Sequence, residues 1–130
     1  MKKLLFLSLA LYSLLTFGQN VVVIEYRHVE SEDIAEFESK EMNYWSKVKQ
    51  KGIDDGYMLA SAFFRLIDAG RIDDKTMPTH AFVHVYKDFM QLVNSTKMWS
   101  NTEKILGIEQ SLVSTNDIST TMRIQRYKLI

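Results

Sequence analysis

The pattern that most restricts this chain is a strand–helix–strand unit occurring twice within one domain length. Val21 to Leu66 reads VVVIEYRHV, then a long amphipathic helix through SEDIAEFESKEMNYWSKVKQKG, then YMLASAFFRLI. A shorter copy follows as HAFVHVYKD, FMQLVNSTKMWSNTEKILG and TTMRIQRYKLI. The element order is β-α-β-β-α-β. Right-handed crossovers then place both helices on one face of a four-stranded antiparallel sheet.

The first strand is predicted over Val21–Val29, which is rich in β-branched and aromatic residues. Its start is apolar on both faces, as in a central strand covered on both sides. Ser31 is placed to cap the first helix, with Glu32 and Asp33 in the first turn where the helix dipole favours acids. Lys47, Lys49 and Lys51 occupy its last turns, and Gly52 marks its expected stop. Ile34, Phe37, Tyr44, Trp45 and Val48 recur at helical spacing and form an apolar face. Glu41 falls near the middle of that face, with Glu38 at its margin. Two readings of Glu41 stay open: a carboxylate paired with a nearby cation at a partly wet edge, or one pointing into a cavity.

The second strand, Tyr57–Ile67, alternates Met58, Ala60, Ala62, Phe64 and Leu66 against Tyr57, Leu59, Ser61, Phe63 and Arg65. The polar stretch 68–79 holds the chain's one proline and is long for a hairpin connection. His80–Tyr86 alternates most sharply, with Ala81, Val83 and Val85 on one face and His80, Phe82, His84 and Tyr86 on the other. Asp88 is placed to cap the second helix, whose face includes Phe89, Leu92, Val93, Thr96 and Trp99 before Gly107 ends it. Residues 108–120 form a mixed connection with room for a helical turn. Thr121–Ile130 is the last strand, with Arg123, Gln125, Tyr127 and Leu129 on one face.

Ahead of this domain, Lys2 and Lys3 precede an apolar run from Leu4 to Leu15, and Thr16-Phe17-Gly18 offers small residues where a signal peptidase reads. The expectation is a signal peptide over residues 1–18, a single domain over 19–130, and export to the periplasm or medium after cleavage before Gln19. The run is shorter than the roughly 20 apolar residues that span a bilayer. No membrane partner is therefore expected after cleavage. The chain has no cysteine, which excludes thiol catalysis and thiolate metal sites. Its 16 basic and 16 acidic residues become 14 and 16 once Lys2 and Lys3 are removed, a formal charge of −2. That balance gives no electrostatic reason to expect a nucleic acid.

The element order implies the ferredoxin-like α+β fold. The small faces, Ala81/Val83/Val85 and Met58/Ala60/Ala62/Phe64, are expected under the helices. The opposite face then carries Phe63, Arg65, His80, Phe82, His84 and Tyr86, a mixed aromatic and polar surface that wants a partner sheet or a ligand. With E-Y-R-H-V, the acidic residues after it, A-E-F-E and Trp45 on the helix, the chain resembles the dimeric α+β barrel superfamily. That group includes antibiotic-biosynthesis-monooxygenase-like and haem-degrading domains. The resemblance spans Val21 to Ile130 and implies a homodimer whose sheets pack face to face. It also implies small-ligand sites between sheet and helices or at the barrel mouth. Haem-degrading members use an Asn, Trp and His set; Val21 to Arg27 contains no Asn, so that activity is not carried over.

His80 and His84 share a strand face, but four residues separate them by roughly 13 Å. They cannot ligate one metal together, and no metal site is expected. Each is either a packed, hydrogen-bonded histidine or a proton shuttle, which makes them the candidate catalytic residues. Arg27, Arg65 and Arg123 either converge on a polar group of a ligand or pair across a dimer with Glu25 or Glu41. Trp45 and Trp99 are core residues or a stacking platform. The seven methionines are gap-fillers, and no cofactor is called for.

These residues support three readings. The first is an exported dimeric domain binding a small hydrophobic or aromatic ligand through Trp45, Phe63, Arg65, Phe82, His84, Tyr86 and Arg123. The second is a cofactor-independent monooxygenase-like enzyme with His80 or His84 as base. The third is an interaction module whose open face serves only to dimerise. Fold analogy alone does not choose among them.

Overall fold

The computed structural model describes residues 20–67 and 73–129. The apolar run 4–15, the expected cleavage site before Gln19, the 68–72 part of the polar loop and Ile130 lie outside the described residues. Among those described, β1 (Val21–His28), β2 (Ala60–Arg65), β3 (His80–Tyr86) and β4 (Thr120–Lys128) form one sheet in the order β2-β3-β1-β4. Every neighbouring pair is antiparallel, so β1 and β2 run parallel with β3 between them. This is the ferredoxin-like α+β arrangement that the element order implies.

The first crossover is one long helix with a wider turn in its middle: α1 (Ile34–Lys40), a π-helical turn over Glu41–Trp45, and α2 (Ser46–Asp54). It starts later than the capping pattern suggests. Ser31 lies in a turn closed by Asp33 N–H donating to Glu30 O at 3.0 Å, and no side chain caps the helix. It also ends later, because Gly52 is not its stop. Gly56, at φ 78°, supplies the left-handed residue there. Tyr57 N–H donates to Gly52 O and Gly56 N–H to Ile53 O, the paired bonds of a Schellman cap. Gly52 is needed for another reason: a Cβ on it would lie 1.8 Å from Met98 Sδ on the second helical arm.

That second arm is capped by Asp88, whose carboxylate accepts from Gln91 N–H at 2.8 Å. It is broken into α3 (Phe89–Asn94), α4 (Thr96–Ser100) and α5 (Thr102–Leu106), followed by the short α6 (Gln110–Val113). The breaks fall where Ser, Thr and Asn crowd. Ser95 Oγ–H donates to Leu92 O, Asn101 Nδ2–H to Lys97 O and Thr102 Oγ1–H to Trp99 O, competing with the backbone ladder. The expected apolar face shifts as a result. Phe89, Val93 and Thr96 are exposed, while Met98 and Thr102 are buried and Leu92, Trp99 and Ile105 half-buried.

The largest correction concerns which sheet face the helices cover. His80, Phe82, His84 and Tyr86 are all buried beneath the helices, with Ser61 and Phe63 beside them on β2. Val83, Val85, Ala62 and Phe64 instead share the uncovered face with Val22, Ile24 and Tyr26. Alternation separates two faces but does not say which one the helices take. On β2 and β3 the inward side chains that meet the helices are aromatic, with Phe37 against Phe63, His80 and Phe82, and Trp99 against His84. Met58 does pack inward, because it precedes β2 and escapes the strand's alternation.

Apolar burial is split between two clusters. Val21, Val23, Val48, Met58, Tyr86 and Met98 form one. Val29, Ile34, Phe37 and Phe82 form the other.

Candidate functional site between sheet and helices

Between the two apolar clusters runs a polar belt, and the local geometry of three elements puts it there. On β1, Val21 and Val23 belong to the first cluster and Val29, just past the strand, to the second, with Glu25 and Arg27 on the same face between them. On β3, His84 lies between Tyr86 and Phe82. On the helix, Glu41 lies between Phe37 and Val48. The π turn matters here. Phe37, Glu41, Trp45 and Lys49 are spaced by four, and at 3.6 residues per turn that spacing drifts around the helix. A wider turn absorbs the drift, and such turns recur at functional sites.

The belt surrounds a cavity of about 250 Å³. Glu25, Arg27, Glu41, Lys49 and His84 supply its polar wall, and Trp45, Phe82 and Trp99 its aromatic one. Residues Gln110 and Ser114 to Asn116 close one side. Glu41 is 6 % and Lys49 9 % exposed, and Lys49 Nζ donates to Glu41 Oε2 at 2.9 Å. Lys49 Nζ also sits 4.4 Å from the Phe82 ring centroid, a cation–π contact. Thr115 Oγ1–H reaches Glu41 Oε1 at 3.4 Å. Both readings of Glu41 therefore hold: it is paired, and it lines a cavity. Arg27 Nε–H donates to Glu25 at 2.6 Å, so this arginine is neutralised within the chain. Each cation in the belt has its own carboxylate.

The two histidines have different surroundings. His84 shares a 3.0 Å hydrogen bond between Nδ1 and Ser61 Oγ, and its ring borders the cavity edge-on to Trp99. Burial, and then the Lys49 charge, push its pKa down to about 4, so it is neutral near pH 7. His80 is fully buried and stacked on Phe63, away from the cavity. Its Nε2 bonds Glu38 Oε1 at 3.0 Å and its Nδ1 meets Thr79 Oγ1 at 2.9 Å. Burial lowers its pKa against the opposing pull of Glu38. Glu38 is itself held low, first by Arg65, which it binds through both carboxylate oxygens.

Of the residues singled out from the sequence, the structure brings Trp45, Phe82 and His84 together at the cavity. Phe63 stacks behind them on His80, and Arg65 is tied to Glu38 at the exposed edge. Tyr86 is packed in the first apolar cluster, and Arg123 lies over the Tyr26 ring on the opposite face. Glu25, Lys49 and Thr115 complete the site without having been singled out for it. One signal was present: Glu25 and Arg27 continue the Val21/Val23 side of β1, where charge interrupts an apolar face. Among the described residues no group of three or more His, Asp or Glu side chains is arranged to hold a metal ion. No helix among them is long and apolar enough to cross a membrane.

No family model and no curated protein matches the chain. Solved structures do. MupZ from Pseudomonas fluorescens aligns with a TM-score of 0.56 at 11 % identity, over 85 % of this chain and 72 % of that one. A dimeric protein of unknown function and ferredoxin-like fold from Bacteroides fragilis aligns at 0.54 and 9 %, over 86 % and 97 %. The hydroxynitrile lyase from Passiflora edulis aligns at 0.52 and 9 %, over 87 % and 95 %. At such identities the likeness is one of fold: this chain has the ferredoxin-like α+β fold, which some proteins use as dimers.

Proposed function

We propose that the protein is an exported, homodimeric domain that binds a small, neutral aromatic ligand between its sheet and its helices. The polar belt carries this reading. A domain this small gains most from one continuous core, yet it buries Glu41, Lys49 and His84 between two apolar halves, at a cost in desolvation. Those groups converge on a cavity walled by two indoles and a phenyl ring. Because Arg27 and Lys49 are each paired with a carboxylate, the cavity has no net charge to offer an ion. Its aromatic surface suits a ring, and its hydrogen-bonding groups suit a polar substituent.

Both tryptophans of the chain line the cavity, so intrinsic fluorescence reports directly on its occupancy. Titration with phenol, indole and 1-naphthol is expected to quench or shift that emission saturably in at least one case. No change with any of them, together with unshifted amide resonances for Arg27, Lys49 and His84, would defeat the reading. Of the two candidate bases only His84 borders the cavity. A cofactor-independent oxygenase acting on an aromatic substrate would therefore have to use it, and an oxygen electrode with hydroquinone substrates tests for turnover.

The uncovered sheet face supports the homodimer, since Val22, Ile24, Val83, Val85 and Phe64 lie together on it as an apolar surface. The dimeric Bacteroides fragilis neighbour lends the same support. Sedimentation should give a dimer for the wild type and a monomer for Val83→Glu; a monomeric wild type would refute the assembly. Export rests on the amino-terminal pattern, and an intact Met1 terminus on protein recovered from its native host would refute it.

A further inference from the structure

One wall of the cavity differs from the others. Its floor is made of central strands and its roof of the long helix, and neither parts without breaking the sheet or the core. The third side is the connection from Gly107 to Ser119, which carries α6. It has a left-handed glycine at its start, with Gly107 at φ 70°. Its apolar attachment is thin. Val113 is buried and Ile118 packs against the second cluster, but Leu112 is 66 % exposed.

What holds it is a set of polar ties to the cavity walls and their neighbours. Trp45 Nε1–H donates to Val113 O at 2.8 Å, and Lys40 Nζ to Ser114 O at 3.2 Å. Arg27 Nη1 donates to Thr115 Oγ1 at 3.3 Å, Asn116 Oδ1 at 3.4 Å and Ser119 Oγ at 3.0 Å. The Thr115 hydroxyl continues the chain to Glu41. Of the groups outside the connection that hold it, Trp45, Arg27 and Glu41 also line the cavity, and Lys40 does not. A segment tied by a few hydrogen bonds and little buried apolar area opens far more readily than the core around it.

We propose that residues 108–118 form a hinged strap that opens and closes over the ligand, latched by the Trp45 indole and the Arg27 guanidinium. The proposal rests on the ligand-binding reading for its purpose but not for its motion. Gly107 is one hinge, and the other is the entry into β4, where the β1–β4 register shifts at Tyr26/Arg27. A ligand that engages Arg27 or Glu41 reaches the groups that hold the strap. Binding and closure are therefore coupled through the same side chains.

The test uses the full chain and two variants. Trp45→Phe removes the indole donor, and Lys40→Met removes a tie from a residue outside the cavity. In hydrogen exchange without ligand, the amides of 110–116 should exchange as a unit well ahead of β1 and β3. Each variant should speed them about fivefold, the weight of one hydrogen bond, and leave the strands unchanged. In stopped-flow release of 1-naphthol, Lys40→Met should accelerate dissociation by a similar factor. Strap amides that exchange no faster than the strands, or that ignore both variants, would overturn the proposal. So would bound 1-naphthol leaving Lys40→Met at the wild-type rate. If 1-naphthol does not bind, phenol or indole takes its place in the release experiment; if none of the three binds, the ligand reading fails, and exchange alone still decides whether the strap opens.

Discussion

Replacing Lys49 with methionine gives the sharpest check on the polar belt. The methionine keeps the stem's bulk and removes the ammonium that bonds Glu41 Oε2 at 2.9 Å. Glu41, 6 % exposed, then keeps only the long 3.4 Å bond from the Thr115 hydroxyl. Removing one partner of a buried pair costs about 3–5 kcal/mol, because the other charge is stranded out of water. The expected loss is therefore about 3 kcal/mol. Against a total stability of about 5–15 kcal/mol, this is a large fraction.

The Glu41→Gln/Lys49→Met double variant removes both charges and should recover most of the loss, to within about 1 kcal/mol of wild type. Urea denaturation reads both. A single variant costing less than about 1 kcal/mol would show that water reaches the pair freely. A double variant no better than the single would show that the loss comes from packing. Either result refutes the buried belt and removes the observation on which the ligand site stands. The same variant should also lift the His84 pKa above about 4 without restoring the ordinary value. Burial is the larger cause of the depression and Lys49 the second.

Three further outcomes are expected. His84 titrates lower in the folded chain than in the unfolded one, so its stabilising contribution is complete above pH ~6.5 and is lost as pH falls towards 4. Wild type should therefore lose about 3 kcal/mol relative to His84→Gln across that window, and parallel stability curves would contradict the shift. Gly52→Ala gains helix propensity but drives a methyl into the fully buried Met98. Overpacking should prevail, with a net loss of about 1–2 kcal/mol in thermal or urea melts, and a stabilised variant would contradict the close approach. Gly56→Ala has open space around its Cβ but a φ of 78°, so it should lose about 1 kcal/mol through backbone strain alone. An unchanged melt would mean that the Schellman cap is not held in solution.

The element order, the β3 boundaries, the Asp88 cap and the helical turn after Gly107 are legible in the chain because each depends on residues near one another. Periodicity, a capping carboxylate and a turn glycine are local instructions. The misplacements also share a cause. Ser31 has the right chemistry for an N-cap, but the backbone closes its own turn at Glu30 and Asp33. Gly52 looks like a helix stop, but its missing side chain serves Met98, 46 residues further along.

Alternation separated the two faces of β3 without orienting them. Orientation depends on which side chains the opposing helices bring to the sheet, and that is a property of two layers rather than of one strand. The cavity is decided in the same way. Glu25 on a strand, Glu41 and Lys49 on a helix and Thr115 on a connection are unremarkable in isolation, and the π turn that aligns the helical pair leaves no mark in hydrophobic period. Sequence by itself determined that two β-α-β units fold into a ferredoxin-like layer, because local patterning and crossover handedness suffice for that. Only the tertiary structure decided that the aromatic face lies inward and that its charges meet. Desolvation and long-range pairing act between residues whose separation along the chain says nothing of their distance in space.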